Sequence, residues 1–206
     1  MLRKGSALKK QLSNRDEQIL LLLKKFDFLT RDQLSRYFNL GKKRNTNRVL
    51  HNLSCYLSSV RNSYETIYYL NNLGRLYVDC DKIRRKNAHV QHTIMRNEFW
   101  LFYKCPHDWK NEVKISDSTT SIVVDSMFSR NGFQHFLEVD NIQTMKGNRE
   151  KIKSYKELMP SVVKQLGYYP TLVWLTTTEL RRQQLEASCG GLKCKVYTIN
   201  EIRGGI

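Results

Sequence analysis

The chain has 206 residues, 40 % of them hydrophobic, enough to bury one generous core or two small ones and too many for a disordered segment. Lys and Arg number 35 against 19 Asp and Glu, a formal net charge of +16, and the excess is N-terminal: 20 against 8 over residues 1–100, 15 against 11 over residues 101–206. The longest apolar run, Ile19 to Leu23, is too short to cross a bilayer, and MLRKGSALKKQ lacks the apolar core of a signal peptide, which excludes a membrane-spanning or secreted protein and predicts a cytoplasmic one. Cys55, Cys80, Cys105, Cys189 and Cys194 include no CxxC pair, so a disulfide framework or zinc ribbon is excluded and all five read as reduced.

A field of this sign concentrates polyanions, and neutralised phosphates release counterions, so the expected partner is nucleic acid and its affinity should fall steeply with salt. An anionic membrane is the weaker alternative, because the basic residues are spread over several elements and do not line one face of a long amphipathic helix.

After a basic arm of about ten residues, Ser13 or Asn14 caps a helix carrying Ile19, Leu20, Leu22, Leu23 and Phe26. Thr30 caps a second, in which Leu34, Tyr37 and Phe38 recur at helical spacing until Gly41 breaks the pattern. The turn Leu40-Gly41-Lys42-Lys43 leads to a third helix with an apolar stripe of Val49, Leu50, Leu53 and Leu57. Arg44, Asn45, Asn47, Arg48, His51 and Asn52 lie mostly off that stripe, offering phosphate donors and amide forks that suit adenine edges. Short β-prone runs at Ser58–Arg61 and Glu65–Leu70, joined through Asn62-Ser63-Tyr64, form a hairpin with Arg61 near its tip. Helix, basic turn, helix and hairpin make a winged helix-turn-helix that would bind double-stranded DNA, the third helix facing the groove while Lys42, Lys43 and Arg61 hold phosphate. The plainer alternative is a helical hairpin with a solvated polar face.

A further helix is expected over Asn71–Ile83, then a charged link over Asp81–Asn87 with the run Arg84-Arg85-Lys86, and a domain boundary near residue 87, giving domains 1–87 and 88–206. The second domain opens with a helix over His92–Cys105, whose Trp100, Phe102 and Tyr103 read as core filler. Strands are expected at Glu112–Ser116, Ser121–Phe128, Phe133–Val139, Thr171–Thr176 and Lys195–Ile199, with helices at Asn148–Leu166 and Glu179–Ser188. The whole is an α+β protein: a winged helix followed by an α/β sandwich with a mixed sheet. His89 and His92 stand three apart on a helix without a nearby third ligand, and read as a cap and a packing residue, so no metal site or cofactor is expected. His51 and His107 read as surface groups, and His135 is placed to meet phosphate or water.

Asp125 ends the apolar run Ile122-Val123-Val124, and Glu138 and Asp140 share one face of the next strand, so three carboxylates are expected at one sheet edge. This order resembles the PD-(D/E)xK nuclease fold, whose Asp and Glu hold a divalent metal and whose Lys supports the attacking water. Val124 and Asp140 stand where that fold carries Pro and Lys, which predicts a vestigial site, with Lys151 or Lys153 as replacement lysines from the following helix.

Across most of the chain the pattern resembles the replication-relaxation family of plasmids and mobile elements. The residues that carry it are Ile67-Tyr68-Tyr69-Leu70-x-x-Leu73-Gly74, His89, His92 and Arg96, Asp125, Glu138-Val139-Asp140, Lys151, Lys153, Tyr155, and Pro170-x-Leu172-Val173-Trp174. The resemblance implies a DNA-binding accessory protein of plasmid replication or conjugative transfer. With Val124 and Asp140 in place of Pro and Lys the protein is expected to be non-enzymatic, and the second domain is expected to supply the contacts of a homodimer or of a partner such as a relaxase or replication initiator. A transcriptional repressor using the same helix and a metal-dependent nuclease are the alternatives.

Overall fold

The computed structural model describes residues 12–62, 64–84 and 89–204, in two compact units, residues 1–85 and 86–206. Among the described residues no helix is long and apolar enough to cross a membrane.

The first unit begins with α1 (Asn14–Phe26), capped by the Ser13 hydroxyl, which accepts from the Asp16 N–H. Ile19, Leu20, Leu22, Leu23 and Phe26 are all buried along it. β1 (Leu29–Thr30) leads into α2 (Arg31–Tyr37), closed by a capping box: the Gln33 N–H donates to Thr30 Oγ1, and the Thr30 N–H donates to Gln33 Oε1, both at 3.0 Å. Asn39 and Gly41, at φ +49° and +70°, turn the chain into α3 (Lys43–Asn52). A hydroxyl pair, Ser35 Oγ and Thr46 Oγ1 at 3.0 Å, fixes where α2 meets α3. β2 (Leu57–Asn62) and β3 (Glu65–Leu70) then form a hairpin, and the sheet order is β1-β3-β2, all antiparallel.

Three expectations shift here. The third helix ends at Asn52, so Leu57 joins the core from the first position of β2. Tyr37, assigned to the apolar face of α2, is 41 % exposed and packs its edge on Phe38. Asn62, expected in the turn, lies inside the ladder opposite Glu65, and Ser63 lies outside the described residues.

The expected helix over Asn71–Ile83 is much shorter, α4 (Asn72–Tyr77), because Asp79 at φ +51° ends it and Arg84 is pulled back into the core. Arg84 Nε donates to Asp27 Oδ1 at 2.8 Å and its NH2 to the Lys24 carbonyl at 2.9 Å, so a residue expected in a charged link anchors the end of α1. Arg85 and Lys86 lie outside the described residues. Gly74 is required where α4 crosses the chain, since a Cβ there would collide with the Tyr56 carbonyl oxygen.

The second unit holds α5 (His89–Phe102), β4 (Lys110–Ser116), β5 (Ser121–Arg130), β6 (Phe133–Asp140), α6 (Met145–Leu166), β7 (Thr171–Thr176), α7 (Glu179–Ser188), β8 (Cys194–Thr198) and α8 (Ile199–Gly204). The five strands run in the order β4-β5-β6-β7-β8, antiparallel through β6 and parallel from β6 to β8, the mixed sheet that the pattern predicts. α5 ends at Phe102, three residues before the expected end, because Lys104 and Cys105 take positive φ. α6 starts at Met145 because Thr144 caps it, accepting from the Gly147 N–H.

Ile152, Tyr155, Leu158, Met159 and Val162 of α6 pack on Phe136, Leu172, Trp174 and Val196 across one face of the sheet, with Leu185 of α7 and Cys189 at its C-cap. Alternation puts His135, Leu137 and Val139 on the other face, where Phe99 of α5 and Tyr103 just beyond it meet Phe128 and Tyr197. The sheet is irregular at one place. β4–β5 pairing passes from Asn111↔Ser126 to Val113↔Val124 with Glu112 at φ +53°, and β5–β6 pairing stops at Ser126↔Leu137. Asp125 sits at that break.

Candidate nucleic-acid interface and carboxylate network

Successive helical residues are about 100° apart, so burial of Thr46, Val49 and Leu50 on one side of α3 directs Arg44, Asn47, Arg48 and His51 to the other, and all four are exposed. Lys43 lies at one margin of that face and Asn52 at the other, both exposed. Lys42 occupies the N-cap position with extended φ and ψ and no side-chain cap, and the first turn carries no acid, so positive side chains and the positive end of the helix coincide. Asn45 departs from the expected set. It is half-buried, its amide donates to the Leu40 carbonyl at 2.8 Å, and its Oδ1 accepts from Arg48 at 2.7 Å, so it closes the turn before α3 and holds Arg48.

Arg48, Asn47 and His51 also border a groove of about 490 Å³ whose far side is Ser59 of β2 and Tyr68 of β3. Arg61 is exposed opposite Thr66, one residue pair inside the end of the hairpin, and Tyr64 at the tip is 94 % exposed. Among the described residues Lys42, Lys43, Arg44 and Arg48 form no ion pair with a carboxylate.

The three carboxylates of the second unit do not converge on one point. Asp125 and Glu138 belong together, and Asp140 is held apart. Asp125 Oδ2 accepts from the Val139 N–H at 2.7 Å, replacing a ladder hydrogen bond where β5–β6 pairing stops, while its Oδ1 lies 3.2 Å from His92 Nε2. Burial works against its ionisation, but the hydrogen bond and charge of His92, with Lys151 nearby, hold the pKa below the usual carboxylate range. Glu138 is fully enclosed. Lys151 Nζ donates to its Oε2 and Tyr155 OH to its Oε1, each at 2.5 Å. Burial first, and the charge of Asp125 second, push its pKa up to about 8 against the pull of Lys151 and Tyr155.

Asp140 shares the Glu138 face, yet turns to α7: Arg181 binds it through Nε at 2.7 Å and NH2 at 2.6 Å, with further donors from Thr176 at 2.7 Å and Asn148 at 2.8 Å. The residue standing where the nuclease motif carries Lys is thus fully committed to an Arg clamp. Lys153 points away, its side chain 79 % exposed and 3.9 Å from Glu157. Of the two expected lysines Lys151 alone reaches the carboxylates.

Sequence reasoning missed His92, read as a packing residue, because nothing in α5 signals a contact with a strand more than thirty residues later. Tyr155 carried a weak signal, standing four residues after Lys151 and therefore on the same face of α6. Among the described residues no group of three His, Cys, Asp or Glu side chains is arranged to hold a metal ion.

No curated protein matches this sequence. Two solved structures resemble the chain loosely: protein VC1899 from Vibrio cholerae, with 13 % identity and a TM-score of 0.41 over 94 % of this chain and 55 % of that one, and Can2 from Sulfobacillus thermosulfidooxidans in complex with cyclic tetra-adenylate, with 12 % identity and a TM-score of 0.35 over 92 % and 48 %. The chain spans about half the length of these two proteins. The sequence profile described as replication-relaxation matches residues 20–172, from within α1 to the second residue of β7, and the chain belongs to the replication-relaxation family.

Proposed function

We propose that the chain is a sequence-preferring double-stranded DNA-binding protein acting in plasmid or mobile-element replication or transfer. Its first unit is then a winged helix, with α3 in the major groove and the β2–β3 hairpin as the wing along the backbone. The observation that carries this reading is the exposed face of α3, where Arg44, Asn47, Arg48 and His51 stand together without a carboxylate and beside an uncapped helix start. Arginine and lysine there supply phosphate contacts that position the protein, and Asn47 and Arg48 supply forked donors suited to base edges. Membership of the replication-relaxation family supports the process.

The test is a footprint of the purified chain over a whole element. Protection confined to a few sites that survives excess unrelated DNA is the expected result, and uniform protection would overturn sequence preference. Sites at promoters and not at origins would favour a repressor using the same helix. If the chain acts as a dimer, protected half-sites lie about one helical turn, or a multiple of it, apart.

One observation favours a second reading, a metal-dependent nuclease: Lys151 of α6 sits beside Glu138 and close to Asp125, so two carboxylates and a lysine meet as they would in a PD-(D/E)xK site. The donor set as arranged does not fit a divalent cation, because Lys151 and Tyr155 occupy both oxygens of Glu138, and His92 and the Val139 N–H occupy those of Asp125. We assign the network a structural role. Cleavage of plasmid DNA with magnesium or manganese, lost on changing Asp125→Ala with Glu138→Ala, would reverse that assignment.

A further inference from the structure

At the end of the second unit's sheet away from Glu138, a cavity of about 420 Å³ opens between the start of β6, β7 and β8 and the end of β5. Arg130, Lys193, Lys195 and His135 line it with Tyr103, Phe133, Tyr197, Asn131 and Thr171, and no acidic residue does. Residues 101–206 contain 15 Lys and Arg and 11 Asp and Glu, so three cations around one cavity without a carboxylate are not the background of this half of the chain.

Two of the three cations rest on aromatic faces. Arg130 lies 4.6 Å from the centroid of the Tyr103 ring and Lys193 Nζ 5.3 Å from that of Phe133. Among the described residues none of Arg130, Lys193 and Lys195 is ion-paired. Between them His135 is buried, stacked on Phe128 at 5.1 Å, with its Nδ1 2.9 Å from the Phe133 carbonyl. Burial lowers its pKa, and the charges of Lys195, Lys193 and Arg130 lower it further. Like charges gathered around a half-enclosed space repel one another unless an anion enters.

We propose that this cavity binds a terminal phosphate monoester together with its adjoining base. Lys193 and Lys195 at the start of β8, with Arg130, would hold the phosphate, Thr171 and Asn131 supply hydroxyl and amide hydrogen bonds, and the 45 % exposed ring of Phe133, with Tyr197 on the same cavity wall, gives the base a surface to stack on. The volume suits a ligand of that size, within the range of roughly 300–1,000 Å³ usual for small-molecule sites. Two sources carry this chemistry, a free mononucleotide and the 5′-phosphorylated end of a DNA strand. The site is independent of the proposed α3 surface.

Calorimetric titration of the full chain tests it, with AMP, adenosine and inorganic phosphate as small probes and one short single strand carrying either a 5′-phosphate or a 5′-hydroxyl. AMP or the phosphorylated strand should bind at least tenfold tighter than its partner without phosphate. Binding by AMP alone assigns a free nucleotide, and binding by the phosphorylated strand assigns a strand end. Changing Lys193→Glu with Lys195→Glu should remove that preference while leaving affinity for covalently closed duplex DNA unchanged, and Arg130→Gln should weaken it with the sheet left intact. The ligand should also raise the titration midpoint of His135 followed by NMR, as an anion facing Arg130, Lys193, Lys195, Tyr103 and Tyr197 would. Equal binding with and without phosphate, inorganic phosphate binding as tightly as AMP, or indifference to the lysine changes would each overturn the proposal.

Discussion

The exposed face of α3 and the carboxylates of β5 and β6 dispose of their charge in opposite ways. On α3, Lys43, Arg44 and Arg48 extend from a ten-residue helix into solvent without acidic partners among the described residues. In the second unit, Asp125, Glu138 and Asp140 are each surrounded by donors from α5, α6, α7 and the strands. A charged group left open has free energy to give to a ligand, whereas one already enclosed has given it to the fold. The contrast separates a surface fit for binding from a network fit for stability, within one chain of like-looking polar motifs.

The largest expected effect breaks the open side of that contrast. Arg44→Glu with Arg48→Glu removes two cations and adds two repulsions at the DNA, so specific affinity should fall by more than a hundredfold. The slope of log affinity against log salt should flatten by about one for the phosphate contact of Arg44, and discrimination between sites should relax with the base contact of Arg48. Anisotropy titrations at several salt concentrations measure both, with Lys153→Glu as the control that leaves them unchanged. Equal losses in the two variants would mean that net charge, and not the α3 face, governs binding.

On the closed side, Arg181→Met leaves Asp140 fully buried with Thr176 and Asn148 but no cation. Stripping one partner from a buried pair leaves an uncompensated charge, at a cost of about 3 kcal/mol. Urea unfolding should show a lower midpoint, and Asp140→Asn in the same chain should restore part of it by removing the charge as well. A midpoint unmoved by Arg181→Met would show that the clamp is not formed.

Glu138 makes the pH dependence distinctive. Its folded pKa, about 8, lies above its ordinary 4.5, so the folded state holds a proton that the unfolded chain releases. Its contribution is fully present below about 4.5 and is lost as pH rises to about 8, after which it levels. Asp125 and Asp140, with lowered pKa values, act only below 3.8 and in the other direction. His135, also lowered, makes stability rise with pH up to its ordinary 6.5 and partly masks Glu138. The informative quantity is therefore the difference between the parent and Glu138→Gln in unfolding free energy from pH 5 to 8. That difference should change steadily through the window, and a flat one would place Glu138 ionised throughout.

The two regions were unequally legible in the sequence. Capping residues and local period were enough for the helix starts at Ser13 and Thr30, for the bounds of β3, β7 and α7, and for the exposed face of α3, because these depend on residues within a few positions of one another. What failed depends on distant contacts or backbone strain. Asn45 looked like its neighbours until its amide met the Leu40 carbonyl, Arg84 looked like part of a charged link until it reached Asp27, and α4 ended early at a left-handed Asp79. The spacing of Glu138 and Asp140 placed both on one face, but only tertiary packing assigned the first to Lys151 and Tyr155 and the second to Arg181.

The smallest expected effect compares two lysines that the sequence could not tell apart. Lys151 and Lys153 are two positions apart on α6, which turns them about 200° from each other, so only one can face the sheet. Lys151→Met removes a donor from buried Glu138 and a charge that lowers its pKa, so stability should fall by about 1–2 kcal/mol and the pH window of Glu138 should extend upward. Lys153→Met touches a solvated side chain at 3.9 Å from Glu157, a pair worth little in water, and should change stability by less than about 0.5 kcal/mol with the pH profile unmoved. Thermal unfolding of both variants at pH 6 and pH 8 resolves the two cases. If Lys153→Met shifted the profile and Lys151→Met did not, the orientation of α6 over the carboxylates would be wrong by half a turn, and the contrast between the open α3 face and the closed carboxylate network would lose the lysine that closes it.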